Sequence, residues 1–113
     1  MPSFEFSGKT IETDDEGYLQ TLDNWNKEIA EYLAKEEGIT LTEKHWELID
    51  WVRDYFFKFQ VAPAIKSLIK EVGKLENLPD KKEANKFVYE LFPEGPAKQL
   101  AKIAGLPKPT GCV

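Results

Sequence analysis

The chain has 113 residues, 42% of them hydrophobic and 31% charged, with a formal net charge of −5. That length predicts a single domain, 1–113, able to bury a core without disulfides or metal, and the acidic balance argues against general nucleic-acid binding, which needs a basic surface. One cysteine excludes an intramolecular disulfide framework, and one Cys with one His cannot supply the four ligands of a structural zinc site.

The N-terminus, Met1-Pro2-Ser3-Phe4-Glu5, has neither the basic start nor the apolar run of a signal peptide. Residues 3–12 alternate weakly around Phe4, Phe6 and Ile11, and Ser7-Gly8 between them predicts a small hairpin. Asp14 to Gly17 reads as an acidic turn. A first helix is expected from Asp23 or Asn24, either a good N-cap, with Trp25, Ile29, Tyr32 and Leu33 on one face and Gly38 as its stop.

Thr42 is the expected N-cap of a second helix from Glu43 to Phe59. Its stripe of Trp46, Ile49, Val52, Phe56 and Phe59, widened by Leu48, Trp51 and Tyr55, predicts the central, most buried helix. Pro63 suits the first turn of a third helix bearing Ile65, Leu68, Ile69 and Val72 and ended by Gly73. Asp80 can cap a fourth helix with Phe87, Val88, Leu91 and Phe92, stopped at Pro93. Gly95-Pro96 starts a short fifth helix with Leu100 and Ile103, stopped at Gly105. The remainder, Leu106-Pro107-Lys108-Pro109-Thr110-Gly111-Cys112-Val113, has no helical pattern. The predicted fold is mainly α: a compact bundle of about five helices, a small N-terminal β-hairpin and an extended C-terminal arm, 105–113.

No run approaches the roughly 20 apolar residues of a membrane span, and Cys112 lies too close to the end for a prenylation box. A reducing cytoplasm is the expected location. The tail is basic: residues 96–113 carry Lys98, Lys102 and Lys108 and no acidic side chain.

Cys112 is the candidate catalytic residue. Chain ends are usually exposed, and an exposed thiol is a liability unless it is used. Seven residues beyond Gly105, at roughly 3.3–3.6 Å each, span about 25 Å, enough to carry the thiol into a partner's cleft. An unperturbed thiol, with a pKa of about 8.5, is about 3% thiolate at pH 7. The adjacent terminal carboxylate raises the thiol's pKa by about half a unit at about 7 Å in water, and Lys102 and Lys108 oppose it, so activation is expected from a partner's pocket. His45 reads as a surface or capping-turn residue. The short turn between the second and third helices outlines a helix-turn-helix, but Ala64 to Val72 offers only Lys66 and Lys70 as bases, thin for a DNA-reading helix. No cofactor motif and no metal site is found.

The segment Leu91-Phe92-Pro93-Glu94-Gly95-Pro96-Ala97-Lys98, and then Lys102 through Lys-Pro-Thr-Gly-Cys112-Val113, resembles the DsrC/TusE family. This family comprises the gamma-subunit-like proteins of dissimilatory sulfite reductase and the TusE sulfurtransferases of tRNA thiolation. Glu16-Gly17-Tyr18-Leu19, Glu43-Lys44-His45-Trp46, Val52-Arg53-Asp54-Tyr55 and Ala62-Pro63-Ala64-Ile65 are similar to further family segments. The resemblance implies that Cys112 is the sulfur-carrying cysteine. It also implies that members working with the sulfite reductase carry a second cysteine eleven positions earlier, where this chain has Ala101. The expected function is a carrier-type sulfurtransferase, taking persulfide sulfur from a donor protein and passing it to an acceptor enzyme in tRNA 2-thiouridine synthesis. A DsrC-like partner of the sulfite reductase is the alternative, and a DNA-binding regulator ranks third. Neither a membrane nor direct nucleic-acid contact is expected.

Overall fold

A computed structural model describes residues 3–107. β1 (Ser3–Phe6) and β2 (Lys9–Glu12) pair antiparallel, Phe4 opposite Ile11 and Phe6 opposite Lys9. Ser7 and Gly8, with φ of 51° and 79°, make the two-residue turn whose positive φ values match the strand twist. Phe4 stacks on Tyr32 at 4.5 Å between ring centroids, which seats the hairpin on the helices.

The first helix begins later than the sequence suggests. Leu22–Asn24 form a single 3-10 turn, and α1 runs Lys27–Glu36 with Asn26 as N-cap, its side chain accepting from the Ile29 amide at 2.8 Å. Trp25 therefore precedes the helix instead of lying on its face. α2 spans Glu43–Phe59, as expected, behind Thr42. α3 spans Ile65–Leu75, so Pro63 sits ahead of it and Gly73 within it. The stop is Asn77, at φ 57°, which lets the Leu78 amide reach back to the Gly73 carbonyl at 2.9 Å. α4 (Lys81–Leu91) is capped by Asp80, which accepts from the Lys82 amide. α5 (Pro96–Ile103) starts with proline at its first position.

The hub is α5, not α2. Each of the other four helices packs on it, and it buries Pro96, Ala97, Gln99, Leu100, Ala101 and Ile103. Its alanines let neighbouring helices approach closely. α2 is buried along Leu48, Ile49, Val52 and Phe56, but its C-terminal end overhangs the core, leaving Phe59, expected inside, 54% exposed. Gly105 and Leu106, expected at the start of the arm, belong to the packed body, and Leu106 is fully buried. Residues 108–113, including Cys112, lie outside the described residues. Among the described residues no helix is long and apolar enough to cross a membrane.

Candidate functional site at the base of the C-terminal tail

Cys112 lies outside the described residues, and the described part nearest to it in sequence is the end of α5 with its contacts. α5 finishes in a full Schellman motif. The Gly105 amide donates to the Lys102 carbonyl at 3.1 Å and the Leu106 amide to the Ala101 carbonyl at 2.9 Å. Gly105 holds φ at 74°, and Leu106 drops into the core.

Two side chains, Trp25 from the segment ahead of α1 and Arg53 from α2, occupy the carbonyls that the motif leaves open. The Trp25 indole Nε1 donates to the Ile103 carbonyl at 2.8 Å. The Arg53 guanidinium donates to the Ala104 carbonyl at 2.6 Å. Arg53 is itself stacked, 4.0 Å from the Trp25 ring centroid and 5.1 Å from that of Phe57. Partial burial lowers its pKa, opposed by Asp50, yet a guanidinium stays charged in neutral water. A cation at a helix C-terminus also complements the helix dipole. Trp25 covers Gly105 so closely that a Cβ there would lie 2.6 Å from Trp25 Cγ.

The other side of α5 is held as firmly. Gln99 is buried; its Oε1 accepts from the Glu94 amide at 2.9 Å and its Nε2 donates to Glu37 at 3.2 Å. Lys102 pairs with Glu37 at 3.4 Å and lies over the Tyr18 ring. Burial, with the nearby carboxylates of Glu16, Asp14 and Glu37, pushes the Tyr18 hydroxyl up to about 12, so it remains a neutral donor toward the Lys98 carbonyl at 3.4 Å. The acidic turn exists as expected, with Asp14 Oδ1 accepting from the Glu16 and Tyr18 amides at 2.9 Å.

His45 is a capping-turn residue but not a surface one. It is buried, its Nδ1 accepts from the Thr42 amide at 3.0 Å, and its Nε2 therefore carries the proton and donates to the Leu91 carbonyl at 2.9 Å. It joins the start of α2 to the end of α4. Burial lowers its pKa, against the Leu91 hydrogen bond. Among the described residues no cluster of ligands for a metal ion occurs.

Sequence reading assigned neither Trp25 nor Arg53 to this anchor. Arg53 did carry a signal, a charge inside the wide apolar stripe of the second helix, where it must be paired or hydrogen-bonded. Trp25 carried none, because its partner is a backbone carbonyl 78 positions away.

These features define a small helical protein whose last described helix is its hub and has a clamped C-terminus. The chain belongs to the DsrC-like family: the model described as "DsrC like protein" matches residues 5–113. It is 46% identical over 109 residues to the sulfurtransferase TusE of Yersinia pseudotuberculosis, covering 96% of this chain and 99% of that one. With TusE of Escherichia coli K12 it is 45% identical over 108 residues, covering 96% and 97%. The fold matches the solution structure of Allochromatium vinosum DsrC, with a TM-score of 0.83, 47% identity and coverage of 98% and 97%. It matches equally the oxidized gamma-subunit of the dissimilatory sulfite reductase (DsrC) from Archaeoglobus fulgidus, with a TM-score of 0.83, 45% identity and coverage of 99% and 100%.

Proposed function

We propose that this protein is a carrier-type sulfurtransferase of the TusE kind, relaying persulfide sulfur through Cys112 toward tRNA 2-thiouridine synthesis. The observation that carries the reading is the single cysteine, penultimate in a chain 46% identical to a named sulfurtransferase. In the first step the Cys112 thiolate attacks the outer sulfur of a donor's persulfide. A new S–S bond forms on Cys112, the donor's S–S bond breaks, and the donor leaves as a thiolate. In the second step an acceptor cysteine thiolate attacks the outer sulfur on Cys112 and frees the Cys112 thiolate. One sulfur atom moves, and neither step needs an external oxidant.

Ala101 favours this over a redox cycle. It is buried in α5 and brings no thiol, so Cys112 has no partner within the chain for a disulfide. The body supplies no catalytic group to the reaction in this reading; it fixes where the tail begins. From Leu106, the last buried residue among those described, six residues at roughly 3.3–3.6 Å would reach about 20 Å if extended, shorter than the span counted from Gly105 because the anchor extends one residue further. A reducing compartment, the cytoplasm, suits a persulfide carrier.

The similarity to sulfite reductase gamma-subunits supports a second reading, a partner of that reductase in sulfur metabolism. Deleting the gene and weighing both phenotypes separates the two. Loss of 2-thiouridine from tRNA, restored by the wild-type gene but not by Cys112→Ser, supports the relay. Intact tRNA thiolation with stable binding to the reductase supports the second reading.

A further inference from the structure

A groove of about 890 Å³ runs between α3 and α4, away from any residue of the tail anchor. Lys66, Lys70 and Lys74 stand along it at i, i+4 and i+8 on α3, and Lys81 and Lys82 face them from the start of α4. The floor between is apolar, built from Ile69, Leu78 and Ala84. No acidic side chain lines it. Among the described residues, none of the five lysines makes an ion pair. Asp80 caps α4 and Glu76 pairs with Lys44 at 3.0 Å, while Glu71 and Glu83 on the same two helices do not line the groove.

Like charges at i, i+4 destabilise a helix. Concentrating five of the chain's fifteen basic residues around one apolar groove, on a molecule of net charge −5, is therefore an arrangement with a cost that no ion pair among the described residues offsets. We infer that this groove docks an acidic amphipathic helix of a partner protein, its large apolar side chains on the Ile69–Leu78 floor and its carboxylates on the lysine rim. The volume suits a few large side chains, and the mode is that of a helix laid in a groove. The floor decides against nucleic acid, since phosphates would engage the rim and leave the apolar surface wet.

The test is fluorescence anisotropy with a dye-labelled synthetic helix bearing Leu along one face and Glu on its flanks. A Lys-flanked version, tRNA and duplex DNA serve as comparison probes. The Glu helix should bind, and more weakly as salt is raised. The Lys70→Glu, Lys82→Glu double variant, whose sites are both exposed, should weaken it roughly tenfold or more, and Ile69→Ala should weaken it too. Cys112→Ser should bind as wild type, because docking is independent of sulfur transfer. Equal binding of the Lys-flanked helix, or no binding of the Glu helix, overturns the proposal. So does lysine-dependent binding of tRNA or DNA that ignores Ile69→Ala and is not matched by the Glu helix.

Discussion

Gly105 and Gly38 both sit at φ 74° just past a helix end, but they differ in what surrounds them. A Cβ on Gly38 meets nothing within 4 Å, whereas on Gly105 it would overlap Trp25 Cγ and Cβ at 2.6 and 2.8 Å. Gly38→Ala should therefore cost only the left-handed backbone penalty, about 1–2 kcal/mol. Gly105→Ala should cost that plus overpacking, about 3 kcal/mol or more in all. Urea unfolding of the two variants reads the difference. His45 gives a pH dependence at the same scale. Its folded pKa lies below the unfolded value near 6.5, so the unfolded chain binds more protons in acid. Its contribution to stability is complete above the unfolded pKa and is lost as pH falls through the folded one. Protonation would also set an N–H at Nδ1 against the donating Thr42 amide. Unfolding free energy should fall as pH drops below the unfolded value near 6.5, and His45→Gln should flatten that slope in parallel urea titrations.

At the scale of elements, most of the secondary structure was legible because local chemistry decides it. The span of α2 follows from Thr42 and the apolar period, α4 from Asp80, and the hairpin from Ser7-Gly8. The misreadings have two causes, a tertiary contact at the first helix and a turn residue beyond the glycine at the third. Asp23 and Asn24 are good caps, but the helix waits for Asn26 because Trp25 is drawn to Ile103. Gly73 looks like a stop, yet the chain continues until Asn77 can turn it. The rank of α5 as hub was invisible, since small residues announce close packing only once neighbours are known. The clamp on α5 yields a prediction here. Arg53→Met keeps an unbranched apolar stem but leaves the Ala104 carbonyl without its charged donor. It should destabilise the fold by about 1–3 kcal/mol. Arg53→Lys should not fully restore stability, because an ammonium cannot reproduce the stacked, planar contact with Trp25 and Phe57. Thermal and urea unfolding of both variants check this.

At the scale of the whole molecule, the other four helices converge on α5. A packed body holds α5 from four sides, its terminus is tied by Trp25 and Arg53, and the packed body continues through Leu106. The anchor at the end of α5 was not legible in the sequence, because it is assembled from residues far apart in the chain. The basic groove was missed for the same reason: Lys66 and Lys70 look sparse along one helix, and become a rim only when α4 brings Lys81 and Lys82 opposite. If Cys112 is the carrier, body and tail divide the work, the body docking and aiming while one thiol exchanges sulfur. Mass spectrometry of the intact protein after incubation with a persulfide-loaded donor protein tests this most directly. The account predicts one added sulfur on Cys112, removed by reductant and absent from Cys112→Ser. Equal loading of Cys112→Ser, or no sulfur on the wild-type protein, would contradict it.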